Sequence, residues 1–178
     1  MIDWQIDRTW TLFLDRDGVI NKRIFGGYIT TPNDFEFLPN AETAIAGFSK
    51  YFNRIIVVTN QQGIGKGLMT ERNLFEIHSY MCDQIHLVGG KIDKCYFAPN
   101  LKGAEEDLRK PNPAMAEMAK FEFPEIQFEH SVMVGDIDSD ILFGKNLGMK
   151  TVRIKTTEPI SVEADLTLDQ LSDLLKLL

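Results

Sequence analysis

The chain has 178 residues, of which 44% are hydrophobic and 25% charged, and its formal net charge is −7. That length suits one α/β domain spanning residues 1–178. No stretch approaches the roughly 18 uninterrupted apolar residues of a membrane span, no secretory leader follows Met1, and the negative far field disfavours nonspecific binding to nucleic acid or anionic lipid; a cytoplasmic monomer is the expectation.

Short β-branched and aromatic runs alternate with longer segments of helical period, the pattern of parallel strands joined by crossover helices. Strands are predicted at 11–14, 54–58, 94–98, 131–134 and 151–154, each nearly all apolar, as in a strand covered on both faces. Helices are predicted at 41–51, 70–88, 113–121 and 139–147, with a last one near 168–177. The helix from Thr70 opens on a capping residue with an acid in its first turn and stops at Gly89-Gly90. Its His78, Met81, Ile85 and Leu87 read as a packing face and rim, and His86 likewise as structural. Cys82 and Cys95 form neither a disulfide framework nor a metal set by spacing and read as core thiols. The fold class is therefore α/β, a Rossmann-like doubly wound parallel sheet. Residues 21–40, 60–68 and 99–112 are the least regular and follow strand ends, the edge at which open α/β sheets bind ligands.

Chemistry-bearing residues gather at that edge. The first strand runs straight into Asp15-Arg16-Asp17-Gly18, and the second ends on Thr59-Asn60 before Gln61-Gln62-Gly63-Ile64-Gly65-Lys66-Gly67. After the third comes Arg109-Lys110-Pro111, and the fourth ends Gly135-Asp136, followed by Ile137-Asp138-Ser139-Asp140. Taken singly, each has a plain structural reading: a turn, a flexible loop, a solvated basic pair, and for Asp138 and Ser139 a helix cap. Acids from two strands, a hydroxyl from a third and a lysine after a fourth, all at one edge, point instead to a site for a small anion.

These residues resemble the four ordered motifs of the haloacid dehalogenase (HAD) superfamily: Asp15-x-Asp17-Gly18, Thr59, Lys110 and Gly135-Asp136-x-x-x-Asp140. The longer runs Asp15 to Asn21, Thr59 to Gly67 and Arg109-Lys110-Pro111-Asn112-Pro113 are similar to the histidinol-phosphatase and heptose-bisphosphate-phosphatase branch. The resemblance implies a HAD-like fold and a phosphomonoesterase for a small phosphorylated metabolite, a sugar phosphate such as D-glycero-D-manno-heptose 1,7-bisphosphate ahead of histidinol phosphate. Magnesium suits a carboxylate that must approach an anionic ester, because it takes oxygen ligands and screens the repulsion. Asp15 and Asp136 are its expected side-chain ligands, and the resemblance adds the backbone carbonyl of Asp17, with Asp140 one shell out. Asp15 would be the nucleophile and Asp17 the acid/base, an acid that the superfamily's dehalogenases lack. Thr59 and Lys110 would hold the phosphate.

Neither gap between motifs is long enough for a folded cap, so Asn60, Gln62, Lys66 and Arg109 are the expected substrate contacts; Arg16 could help or point outward. The branch commonly carries a zinc loop before its Arg-Lys-Pro, but residues 96–108 contain no Cys or His, and Glu105, Glu106 and Asp107 read as a solvated run. A phosphoacceptor domain or an inactive phosphate-binding descendant are the alternatives from other classes. The order of the acids fits a receiver badly, and the complete catalytic set disfavours the descendant.

Overall fold

The computed structural model describes residues 3–178. Six strands, β1 (Thr11–Leu14), β2 (Arg54–Asn60), β3 (Lys94–Ala98), β4 (Ser131–Gly135), β5 (Lys150–Ile154) and β6 (Leu166–Leu168), form one parallel sheet in the order β3-β2-β1-β4-β5-β6. Six helices accompany them: α1 (Ala41–Phe48), α2 (Gln62–Gly65), α3 (Glu71–Leu87), α4 (Ala114–Glu122), α5 (Asp138–Asn146) and α6 (Leu171–Leu175). None of the described helices is long and apolar enough to cross a membrane.

Alternation along the strands builds two cores. Leu12 and Leu14 of β1, Ile55 and Val57 of β2, and Val132 and Val134 of β4 face one side, with Ile45 and Phe48 of α1, Ile77 and Met81 of α3, and Leu171 and Leu174 of α6. Phe13, Ile56, Val58 and Met133 face the other, against Met115, Ala116 and Ala119 of α4 and Phe143 of α5. All four residues of β1 are buried. A strand closed on both faces can accept an acid only where it leaves the sheet, and Asp15 is the first residue past its end.

The predicted strands all form, β2 running two residues further to carry Thr59 and Asn60. Thr70 caps α3 as expected, its Oγ1 accepting from the Asn73 amide at 3.1 Å, and Gly89 ends it at φ +82°. The C-terminal prediction needs correcting. Residues 166–168 are an edge strand, and α6 is only one short turn beyond it. Asp165 explains the strand: its Oδ2 accepts from the backbone and hydroxyl of Thr151 at 2.7 and 2.8 Å, pinning the segment beside β5. The stretch expected as loop after β2 holds the single turn of α2. Between β1 and α1 the only helical turn is the 3-10 segment Pro32–Asp34, and between β2 and β3 lie only α2 and α3. No separate cap is built at either position.

Candidate active site

β1 pairs with β2 and β4, Leu14 lying level with Val57 and Val134, so Asp15 emerges between the ends of those two strands. Its amide donates to the Val134 carbonyl at 2.9 Å. Two glycines let the strand ends close on one another. Gly18 turns the chain at φ +93°, and a Cβ there would lie 2.2 Å from Asp136 Oδ2. A Cβ on Gly135 would lie 2.0 Å from the Asp140 Cβ, so any larger residue would push apart the turn that presents Asp136.

Lys110 is the hub. Its buried ammonium lies 2.8 Å from Asp15 Oδ1 and 2.7 Å from Asp140 Oδ1, and donates to the Val58 carbonyl at 2.8 Å. Asp140 Oδ2 accepts from the amides of Asp136 and Ile137 at 3.1 and 3.2 Å, so this side chain locks the turn while its other oxygen orients the lysine. Burial alone would lower the pKa of Lys110, but Asp140 and Asp15 outweigh it and the net direction is up.

Asp136 meets Arg23, whose Nη2 donates to Asp136 Oδ1 at 2.7 Å and to the Asp17 carbonyl at 3.0 Å. Asp15, Asp136 and Asp140 offer oxygens all within 4.8 Å of one another. Against these three carboxylates stand two cations, Lys110 and Arg23. One negative charge is left over, and it appears as a raised carboxyl pKa: burial, then the Asp15 and Asp140 charges, push Asp136 up to about 8. Burial likewise raises Asp15, to about 6, with Lys110 opposing. A divalent cation fits this donor set. The ligands are all oxygen, the charge deficit has the right sign, and a guanidinium already sits on the Asp136 and Asp17 oxygens as a stand-in.

The Asp17 side chain faces another way. It takes both its oxygens to Arg16 Nη2 at 3.0 Å, and accepts from Asn21 Nδ2 and Gln61 Nε2 at 2.9 Å each. Burial would raise its pKa, but the Arg16 charge and the bonds from Asn21, Arg16 and Gln61 outweigh that and hold it low. Arg16 is 1% exposed, not directed outward, and its Nη1 lies 3.5 Å from Nε2 of buried His78. Burial, then the arginine charge, depress His78 to about 3, so it stays neutral beside Arg16.

Asp15, Asp17, Lys110 and Asp140 open into a cavity of about 420 Å³ whose far wall includes Tyr28, Gln62, Lys66 and Arg109. Arg109 Nη1 donates to Gln62 Oε1, and the Lys66 ammonium lies 5.5 Å from the centre of the Tyr28 ring. Asn60 lines the cavity too, but its carboxamide clamps the Lys110 backbone, Oδ1 accepting from the Lys110 amide at 2.9 Å. Thr59 is buried and not among the residues that line the cavity; its Oγ1 accepts from Gln61 Nε2 at 2.9 Å, and its own proton is still available.

Comparison with known proteins bears directly on this arrangement. A D-glycero-alpha-D-manno-heptose-1,7-bisphosphate 7-phosphatase of Mycobacterium tuberculosis is 35% identical over 147 residues, covering 83% of this chain and 77% of that protein. The chain belongs to the HAD superfamily. The HAD-hydrolase-like family model matches residues 107–174 of this HAD protein. A D-glycero-beta-D-manno-heptose-1,7-bisphosphate 7-phosphatase of Vibrio cholerae is 32% identical, covering 91% of the chain and 92% of its own length. In fold, a crystal structure of the D,D-heptose 1,7-bisphosphate phosphatase from B. bronchiseptica, complexed with magnesium and phosphate, superposes with a TM-score of 0.84 at 22% identity, covering 94% of this chain and 97% of that one. The HAD chain thus lies on the heptose-bisphosphate-phosphatase branch.

Besides Arg23, two features of this HAD site escape a reading of the sequence. Asp138 does not cap α5: its carboxylate accepts from the Ser161 amide and hydroxyl at 2.9 and 2.6 Å and pairs with Arg153 at 2.8 Å, fastening the chain after β5 to the turn that presents Asp136. Arg153 is 1% exposed and also donates to the Asp136 carbonyl at 2.9 Å. A lone arginine inside the apolar run of β5 was the available signal, because a buried charge requires a partner. In the loop before Arg109, Asp107 is not merely solvated. Its oxygens accept from the amides of Gly103 and Arg109 at 3.2 and 3.0 Å, bracing the segment that presents the arginine.

Proposed function

We propose that this phosphatase cleaves a small sugar phosphate carrying a second anionic group, D-glycero-D-manno-heptose 1,7-bisphosphate being the foremost candidate, through a phosphoryl-enzyme on Asp15. The reading rests on one observation above the others: a buried carboxylate at the end of β1, held by Lys110 Nζ at 2.8 Å, opens into the cavity beside the oxygens of Asp136 and Asp17. Asp15, Asp136 and the Asp17 carbonyl would hold magnesium, which when bound draws the phosphate to the carboxylates and neutralises charge on the transferring group.

Asp15 would attack phosphorus in line, its oxygen forming the new P–O bond while the sugar oxygen leaves. Lys110 and the Thr59 hydroxyl would bind equatorial oxygens, donors fixed before the charge develops. Asp17, turned from its Arg16 and Gln61 contacts toward the cavity, would protonate the leaving oxygen and later take a proton from the water that frees the phosphate. Such positioned proton transfer is worth roughly 10²–10⁴-fold. Its low pKa in the turned-away pose keeps it ionised, and loss of the Arg16 contact on turning would raise it toward the range that both proton transfers need.

The far wall favours a bisphosphate over an amino alcohol phosphate. Lys66 and Arg109 are offset by an aromatic face and a neutral amide, not by acids, which leaves their charge for a distal phosphate; Glu158 is the one acid lining the cavity beyond the Asp15, Asp17 and Asp140 group. The relatives above are named for different anomers. The test is phosphate release from the α and β anomers of the bisphosphate and from histidinol phosphate, with and without magnesium. Magnesium-dependent release from one anomer well above histidinol phosphate is expected, and preferential turnover of histidinol phosphate would overturn the substrate reading.

A further inference from the structure

Arg23 stands where the divalent ion is expected. A single nitrogen, Nη2, reaches both Asp136 Oδ1 and the Asp17 carbonyl, while Nε makes no hydrogen bond. The guanidinium is therefore held by the metal-site oxygens themselves. Around it the backbone is anchored: Gly18 donates to the Asn21 carbonyl at 2.8 Å, and Lys22 to the Glu36 carbonyl at 2.8 Å. Arg23 and Phe25 line both the cavity that holds Asp15 and a second one of about 540 Å³ that holds Gly18, Asp136 and Lys155. The side chain is thus a partition between Asp15 and the cavity on the Asp136 side. It has room to swing without moving its loop.

A magnesium ion and this guanidinium cannot share the position, because both need Asp136 Oδ1 and the Asp17 carbonyl and like charges would lie in contact. We propose that Arg23 is a built-in counter-cation that occupies the divalent-metal position in the metal-free protein and competes with magnesium for it. The proposal rests on the reading of Asp15, Asp136 and the Asp17 carbonyl as the magnesium centre. Without Arg23, the Asp15, Asp136 and Asp140 cluster would keep only Lys110 as compensation, a burial that strongly disfavours the folded, metal-free state. With it, the metal-free protein is stabilised and each binding event must first displace a charge-assisted hydrogen bond. Metal affinity is lowered by that competition.

The experiment is calorimetric titration of the metal-free protein with magnesium chloride, for the wild type, Arg23→Gln and Arg23→Lys, alongside thermal unfolding of each with and without metal. Arg23→Gln should bind magnesium about tenfold more tightly or better, the factor expected on removing one competing charge-assisted bond. Its metal-free form should melt a few degrees below the wild type, a gap that closes at saturating magnesium. Arg23→Lys, which keeps a cation within reach, should fall between the two and supplies the comparison if the glutamine variant does not fold without metal. Equal or weaker magnesium binding in both variants overturns the proposal while leaving the magnesium centre standing. Failure of every protein to bind magnesium overturns that reading, and the proposal with it.

Discussion

Replacing Lys110 by methionine separates what this residue does for the fold from what it does for the chemistry. The ammonium lies 2.8 Å from Asp15 and 2.7 Å from Asp140, both buried, so the substitution strands two carboxylates. Breaking a buried pair from one side costs about 3–5 kcal/mol, which for a chain of this size lowers Tm by roughly 6–20 °C. Part of that loss belongs to Asp140. The double variant Lys110→Met with Asp140→Asn removes one stranded charge and keeps an acceptor for the Asp136 and Ile137 amides, so about half of the lost stability should return. Activity should not. With the lysine gone, a phosphate oxygen would lose the donor proposed for it, worth about 10²–10³ in kcat, and Asp15 loses the charge that opposes its raised pKa. Urea unfolding of metal-free protein at pH 7.5, paired with magnesium-dependent hydrolysis of p-nitrophenyl phosphate, measures both. A Lys110→Met stability within about 1 kcal/mol of wild type, or additivity of the two substitutions, would refute the hub role of Lys110.

Gly18→Ala should destabilise the protein by about 1–3 kcal/mol through its positive φ and weaken magnesium binding, since its Cβ would lie 2.2 Å from Asp136 Oδ2; an unchanged magnesium titration would contradict this. His78 is held at about 3 in the fold against an ordinary 6.5, so between those values the unfolded chain binds a proton that the folded one does not. The stability this contributes is complete above 6.5 and is lost as pH falls toward 3, by about 2 kcal/mol at pH 5. The difference in urea stability between wild type and His78→Gln should shift by that amount between pH 7.5 and pH 5, and a constant difference would refute it. Arg109→Ala and Lys66→Ala should raise KM for the heptose bisphosphate with little effect on p-nitrophenyl phosphate, which has no distal anion to hold; equal losses on both substrates would move these residues out of the distal subsite.

The sheet was readable because β1, β2 and β4 are unbroken apolar runs ending on polar residues, a pattern imposed by burial on both faces. β6 was not, since its Leu-Thr-Leu is short and half exposed and becomes a strand only through Asp165 and its neighbour β5. The same division runs through the site. Asp15, Asp17 and Asp136 announce themselves by position at strand ends, and Lys110 by its place beside Arg109 and Pro111 in the loop after β3. Arg16, Asn21 and Gln61 adjoin those motifs in sequence, yet their convergence on one carboxylate depends on where the loops after β1 and β2 meet. Arg23 carries no local signal at all: it lies in an irregular stretch, 113 positions from the Asp136 that it contacts.

Trapping the phosphoryl group on the protein decides whether Asp15 is its acceptor. Asp17→Asn protein, slowed in releasing phosphate, is mixed with magnesium and p-nitrophenyl phosphate, whose leaving group needs no protonation, then quenched in acid, reduced with borohydride and mapped by peptide mass spectrometry. Reduction of the side chain at position 15 to homoserine, dependent on both substrate and magnesium, is the expected result. A trapped group on any other residue, or no trapped group while turnover continues, would contradict it.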